Sequence, residues 1–330
     1  MSSHGYSEIS KELILSTRPF ARENRAKSWL LTLSTLLLLL AALAGTIWNV
    51  HPAAKIVCSV LSGLLIVRMF VIYHDHQHHA ILYRSPLANA LMTVFGLYIM
   101  APTSIWKRSH DYHHKHNSKL FSASIGSYPI MTRQKFLSSS RSDRRRYLFT
   151  RHPLTIFLGY YTMFIWGMCV GSFLSNPKKH LDSLLALVLH AAIYTAVAYF
   201  FGWQGVVLTL LIPYTIACGI GSYLFYAQHN FPGVTFKDNR GWSYEHAAME
   251  SSSYMKLNPV MNWFTANIGY HHIHHLNAKI PFYRLPEVME KIPALQEAKV
   301  TSMGPVEVFR CLRLKVWDPE RNRMLTLEEV

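Results

Sequence analysis

Charge is scarce in this sequence. Only 15% of its 330 residues are Asp, Glu, Lys or Arg, while half are hydrophobic; soluble domains usually carry roughly 25% charged residues. A soluble chain of this length would suggest about two domains, but the apolar residues are gathered into long runs that point to membrane spans instead. The mean hydropathy is nevertheless only +0.12, so much of the chain lies outside the bilayer, and a membrane stem with a polar cap is expected. Cysteine is also sparse. Cys58, Cys169, Cys218 and Cys311 form no C-x-x-C pair, and the first three sit inside apolar runs. That excludes a disulfide frame or a cysteine-based zinc site and leaves small buried hydrophobes. No internal repeat, low-complexity tract or Gly/Ser linker divides the chain. A G-x-G-x-x-G loop and a fused haem-binding domain are missing as well, so any electrons the chemistry needs come from an external carrier.

Acidic residues are the scarcer sign of charge, 18 against 33 Lys and Arg, which gives a net charge of +15 with histidine neutral. Such a balance suits nucleic acid, a membrane surface or an acidic partner. With membrane spans present, positive-inside topology and attraction to anionic headgroups account for it, and no nucleic-acid partner is expected. An acidic electron-donor protein docking on the basic surface is the sharper reading.

A transmembrane helix needs about 20 mostly apolar residues. Runs of that kind are Trp29–Val50, Ala53–Tyr73, Leu154–Leu174, Leu181–Phe201 and Gly205–Ala227; a weaker one, Pro86–Trp106, is broken by Pro102. The connector Asn49–Lys55 carries one lysine and Gly202–Gln204 no charge, whereas Arg133–Arg151 is densely basic and Asn176–His180 contains Lys178 and Lys179. The positive-inside rule puts the first two outside and the last two in the cytoplasm. Four complete spans satisfy this, with Pro86–Trp106 and Leu154–Leu174 dipping into the membrane or lying along its surface. Gly159, Gly167 and Gly171 make the second of these a poor straight helix. The first apolar run is too long for a signal h-region and follows a polar, basic stretch, so it reads as a retained span. The expected organisation is a cytosolic arm over residues 1–28 and one domain over residues 29–330. The fold class is that of an all-α integral membrane protein.

Histidine is abundant where charge is not. Three clusters stand out among the 19 histidines: His74-Asp-His-Gln-His78-His79, His110-Asp-Tyr-His113-His114-Lys-His116 and His271-His272-Ile-His274-His275. Residues three and four apart share one helix face. His74 and His78 are thus neighbours, as are His110, His113 and His114, and likewise His271, His274 and His275. His229 follows directly on the last apolar run and brings one more imidazole to the same depth. Nine nitrogens suffice for two metals, and imidazole suits iron, copper, zinc or nickel. His76, His79, His116 and His272 fall off the ligand face and are expected to hydrogen-bond around the site. Isolated histidines such as His4, His51, His152, His180 and His190 read as surface or satisfied core residues. A transmembrane haem protein would pair single histidines within helices, a zinc hydrolase keeps three ligands and an open position, and a transporter places ionisable groups near mid-membrane. A two-metal oxidative site fits best. Arg68, near the end of the second span, reads as a snorkelling side chain.

At these clusters the chain resembles the membrane fatty acid desaturases, including the acyl-lipid omega-6 (delta-12) types. The likeness extends through Tyr226-Ala-Gln-His-Asn-Phe231, the stretch Trp242–Tyr254, the run Trp263-Phe-Thr-Ala-Asn-Ile-Gly-Tyr-His-His-Ile-His-His-Leu276 and Ile280-Pro-Phe-Tyr-Arg-Leu285. Ser251 stands where relatives often have glycine. The resemblance implies four transmembrane helices, a cytosolic cap and a di-iron centre held by His74, His78, His110, His113, His114, His229, His271, His274 and His275. It further implies an O2-dependent oxidoreductase that introduces a double bond into an acyl chain, with electrons from a ferredoxin-like donor. The same scaffold serves lipid or carotenoid hydroxylation and ketolation, and a non-catalytic membrane metal-binding protein is the third reading. An acyl tail is expected to enter from the bilayer between walls formed by Pro86–Trp106 and Trp242–Tyr254. A bacterial cytoplasmic membrane is the expected location, with the site facing the cytoplasm.

Overall fold

Inside a bilayer the backbone has no water to bond, so long apolar runs satisfy their amides as helices. The computed structural model of the chain describes residues 12–49, 51–120, 122, 127–238 and 241–330. The first eleven residues of the expected arm, His4 among them, and Val50 lie outside the described residues. Helix α1, Arg25–Ile47, starts where the Asn24 side chain accepts from the Lys27 amide. Helix α2, Pro52–Gln77, starts where the His51 ring accepts from Ala53, with Pro52 in the first turn. Both are long and apolar enough to cross a membrane.

The weaker run becomes α3, Pro86–Tyr98, and α4, Thr103–His116, set at 93° to one another. The bend falls where Pro102 caps α4 and Met100 adopts a positive φ of 61°. After the basic helices α5, Arg133–Ser138, and α6, Arg141–Thr150, the chain forms the short α7, Pro153–Phe157, and the π-helical α8, Tyr160–Gly171. This stretch is not one straight span, as its glycines suggested. Gly159 lets α7 seat tightly: a Cβ there would lie 1.9 Å from the Ser222 hydroxyl.

The third crossing-competent stretch is Leu181–Ala227, 47 residues in all. A straight helix of that length would run about 70 Å, more than twice the roughly 30 Å of bilayer hydrocarbon. Gly202, at φ 65° and ψ −171°, interrupts it, a conformation that costs glycine least. His190 and Tyr214 stand equally far in sequence on either side of that residue, and their rings are 4.9 Å apart. The chain therefore doubles back at Gly202, within α9, Leu181–Val206, and the last residues of α9 run on through the π-helical Val207–Leu211 into α10, Ile212–Ala227. Tyr199, Phe200 and Trp203 are exposed around the turn, and the amphipathic rings of Tyr199 and Trp203 suit a membrane–water interface.

The cap contains α11, Tyr244–Ser251, α12, Pro259–Phe264, α13, His271–Leu276, α14, Leu285–Lys291, and α15, Pro305–Arg313. Among the described residues two small sheets complete it: β1, Tyr254–Lys256, runs parallel to β2, Val300–Ser302, and β3, Val316–Asp318, antiparallel to β4, Arg323–Leu325. Large side chains fill the joint between stem and cap, with Tyr73, Trp106, Tyr226, Phe231 and Phe282 fully buried. Arg68 does not snorkel. It is 4% exposed, lies 4.2 Å from the Trp263 ring centroid, and donates to the Trp263 carbonyl and to Thr35 Oγ1 at 3.1 Å. A cation in the second span thereby fastens the cap to the stem. Cys58 is half-buried and the other cysteines are buried, all as free thiols.

Candidate metal centre

Four elements carry the imidazoles to one level. The last turn of α2 presents His74 and His78; α4 presents His110, His113 and His114; His229 follows the end of α10; and α13 presents His271, His274 and His275. The i, i+3, i+4 spacing puts each helix's histidines on its buried side. The nine rings gather into two groups: His74, His78, His110, His114 and His274, and His113, His229, His271 and His275. Within each group one nitrogen per residue lies within 4.8 Å of all the others. The second group forms a closed ring of Nε2 atoms: His113 to His229 at 3.1 Å, His229 to His271 at 2.9 Å, His271 to His275 at 3.1 Å and His275 to His113 at 3.3 Å. In the first, His114 Nε2 lies 3.1 Å from the Nε2 atoms of both His110 and His274.

Tautomers decide what such convergence means. The Ser251 carbonyl can only accept, so His229 donates Nδ1–H to it at 3.0 Å, and its Nε2 is left with a lone pair. That lone pair faces two further Nε2 atoms. Similarly, Asp75 accepts from His74 Nδ1 at 3.1 Å while its other oxygen accepts the Phe282 amide at 2.7 Å. Carboxylate and carbonyl partners of this kind orient metal-binding histidines and fix which nitrogen is free. Buried imidazole nitrogens that converge on one point are relieved of mutual repulsion by a shared cation, and the donor sets fit a metal ion in each group. Burial, reinforced by repulsion between neighbouring rings, pushes His271, His274 and His275 well below the ordinary imidazole range. Burial alone lowers His229 to about 4 against the help of its Ser251 bond. All four rings are therefore neutral near pH 7, the state in which imidazole coordinates a metal.

The off-face histidines do not touch this centre through their hydrogen bonds. His76 meets the Ile81 carbonyl and Asn89 Oδ1, His116 the Tyr112 carbonyl, and His272 the Leu295 carbonyl. His79 sits at positive φ with its ring against Tyr83. Their expected role around the metal ligands is replaced by loop and cap anchoring. The isolated histidines are ordinary: His51 and His152 accept from helix-start amides, His180 meets Ser104 and His190 meets Tyr160. Asp75 was not singled out by the sequence reading; an acid at the end of an apolar span was the available signal.

An apolar cavity runs down from the histidines between α2, α8 and α10. His74, His110 and His271 stand at its head, and Ile66, Phe70, Phe164, Ala217 and Leu224 line its length. Of the walls expected from sequence, Ile99 alone comes from Pro86–Trp106, and Trp242–Tyr254 contributes nothing to it. The bend at Pro102 turns α3 away, and the π-helical segment takes its place.

Similarity to known proteins points to one family. The family model described as fatty acid desaturase matches residues 50–306. A fatty acid desaturase of Bacillus subtilis is 26% identical over 333 residues, covering 100% of this chain and 94% of that protein. An sn-1 oleoyl-lipid 12-desaturase of Anabaena variabilis is 24% identical, covering 84% of this chain and 80% of its own length. An sn-1 acyl-lipid omega-3 desaturase (ferredoxin) of a Nostoc species is 22% identical, covering 75% and 70%.

Proposed function

Because the chain belongs to the fatty acid desaturase family, whose members are oxidoreductases, we propose that it inserts a double bond of the delta-12/omega-6 type into a lipid-linked acyl chain. His74, His78, His110, His114 and His274 hold one iron in this reading, and His113, His229, His271 and His275 hold the other. Residues 29–330 form one desaturase domain behind a cytosolic arm at residues 1–28. The protein sits in a bacterial cytoplasmic membrane with its centre on the cytoplasmic side, and a ferredoxin-like carrier supplies electrons. The names of the Anabaena and Nostoc relatives support the lipid-linked substrate, the 12-position and the donor.

Removing hydrogen from an unactivated methylene chain is beyond side-chain acid–base chemistry, and reduced iron with dioxygen supplies that oxidising power. The chain's own residues do the rest. Ile66, Phe70, Phe164 and Leu224 exclude water along the cavity and hold an alkyl chain extended, so that the reacting carbons rest beside His74, His110 and His271. Asp75 and the Ser251 carbonyl hold ring orientation.

The observation that carries this reading is the pair of converging imidazole groups at the head of an apolar cavity. The test is a fatty-acid profile of a bacterial host expressing the chain, with His274→Ala at equal level as control. A new unsaturated species with the wild type alone is expected, and its double-bond position tests the delta-12 assignment. An oxygenated lipid would move the reading to a hydroxylase, epoxidase or ketolase. Well-folded protein without bound iron would sink the di-iron assignment.

A further inference from the structure

A file of rings leads away from the metal centre into the stem. The Trp106 indole stacks on the His110 ring, with centroids 4.5 Å apart and planes 24° from parallel. Tyr73 lies 5.4 Å from Trp106, Phe95 6.0 Å from Tyr73, and Tyr98 6.2 Å from Phe95. Tyr214 is 5.4 Å beyond Tyr98, and Tyr160 stacks on Tyr214 at 5.3 Å and 14°. Every step falls within the separation of ring pairs in direct contact. Trp106, Tyr73 and Tyr214 are fully buried, whereas at the far end Tyr161, its ring 4.7 Å from that of Tyr160, is 47% exposed.

The hydroxyls along this file differ in what stands ready to take their protons. Tyr73 donates to the Ala101 carbonyl at 2.9 Å and Tyr214 to the Tyr98 carbonyl at 2.8 Å. A backbone carbonyl accepts a hydrogen bond but is too weak a base to keep the proton. The Tyr160 hydroxyl instead lies 2.5 Å from His190 Nε2 and 2.9 Å from the Tyr194 hydroxyl. A neutral imidazole nitrogen takes a proton and holds it. With Tyr194 donating to the Tyr160 oxygen, the Tyr160 proton is directed at His190. That histidine has no part in the metal centre and is buried among the rings of Tyr160, Tyr194 and Tyr214.

Resting on the di-iron reading, we propose that these rings form an electron path that discharges the metal centre when no acyl C–H bond is within reach. Tyr160, with His190 as its proton acceptor, is where the oxidation comes to rest. Tryptophan and tyrosine give up one electron more readily than the other ring-bearing side chains, so Trp106 starts the path and Phe95 only bridges Tyr73 and Tyr98. One electron passes from Trp106 across His110 to the centre, and Tyr73, Tyr98, Tyr214 and Tyr160 each refill the ring before them. As the electron leaves Tyr160, its O–H proton moves to His190 Nε2, which leaves a neutral phenoxyl beside an imidazolium. Losing that proton makes Tyr160 easier to oxidise than Tyr73 or Tyr214, whose carbonyl partners keep no proton, and this sets the direction. A lipid-soluble quinol at exposed Tyr161 then restores the pair: it gives one electron and releases one proton, while His190 returns its own proton to Tyr160. Without this outlet the oxidising equivalent is spent on the rings around the centre.

The test uses iron-loaded, full-length protein in detergent free of acyl lipid, reduced with stoichiometric dithionite, mixed with oxygen and frozen for electron paramagnetic resonance. Wild type is expected to give a phenoxyl signal that narrows when ring-deuterated tyrosine is incorporated and that fades when acyl lipid is supplied. Tyr160→Phe, which removes one hydroxyl, should abolish the signal. His190→Phe, which keeps a ring and removes the base, should slow its appearance at least about 100-fold. Over repeated substrate-free cycles Tyr160→Phe should also accumulate oxidised Trp106 and His110 faster than wild type, read by peptide mass spectrometry, with its initial rate of desaturation unchanged. Absence of any protein radical, a phenoxyl signal that survives Tyr160→Phe, or equal oxidation of Trp106 in both proteins overturns the proposal. Failure of the desaturase reading is distinguishable: protein that shows the Tyr160 radical but forms no double bond keeps the path and loses that reading, and protein that forms the double bond without the radical loses the path alone.

Discussion

Helices α4 and α13 carry the same H-x-x-H-H pattern and serve the two imidazole groups in opposite senses. Helix α4 sends its outer pair, His110 and His114, to the five-nitrogen group and its inner His113 to the four-nitrogen group. Helix α13 sends its outer pair, His271 and His275, to the four-nitrogen group and its inner His274 to the other. Residues four apart stack nearly in line on a helix, and a residue three from the first is rotated toward the adjoining face, so each helix straddles the gap between the groups. What completes each group differs. The five-nitrogen group is finished by His74 and His78 at the end of a continuous membrane helix, with Asp75 locking His74 to the cap. The other is finished by His229 alone, beyond the end of α10, half-buried and held by one carbonyl. One group is rooted in the stem; the other depends on the cap closing over a single loop histidine.

Removing the crossing residues should break the comparison most completely. The pair His113→Ala and His274→Ala takes one nitrogen from each group, and we expect both irons to be lost and desaturation to fall at least about 100-fold. Elemental analysis of purified protein beside a fatty-acid profile checks this. His229→Ala is the sharper cut. It should leave about one iron per chain, because the five-nitrogen group is untouched; loss of both irons would show that the groups do not load separately. Asp75→Asn should act on the stem-rooted group alone, weakening iron affinity about 10–100-fold with unchanged helix content by circular dichroism.

The smallest expected effect is on pH dependence. In the folded, metal-free protein His229 and His272 are each lowered to about 4 from an ordinary 6.5, chiefly by burial. The unfolded chain therefore binds more protons below about pH 6.5, and stability falls as pH drops from there toward 4. Metal-free protein in detergent should melt several degrees lower at pH 5.5 than at pH 7.5. An unchanged melting temperature would count against burial of neutral rings.

The helix-bound histidines were legible because a three–four spacing has one structural solution. The off-face positions of His76, His116 and His272 followed from the same rule, but their partners did not: Ile81, Asn89, Tyr112 and Leu295 are met only once the chain turns, and spacing carries no such information. The hairpin at Gly202 was foreshadowed by an uncharged connector between two apolar runs. The cavity walls were not foreshadowed, because which side of α8 faces α2 depends on the π-helical turn and on close packing at Gly159 and Ser222. Arg68 was misjudged for a related reason. A cation near a span's end has water within reach on its own, but here the Trp263 ring and carbonyl cover it first.

The separation of His114 and His274 by 160 residues sets a timetable for biosynthesis. The stem can insert and its first two histidine clusters can emerge long before α13 leaves the ribosome. Until then neither group has its full set of nitrogens: the five-nitrogen group lacks His274, and the four-nitrogen group lacks His271 and His275. Completion of both groups therefore belongs to the end of synthesis, and a chain that stops before His271 would be a membrane protein with an unfinished centre.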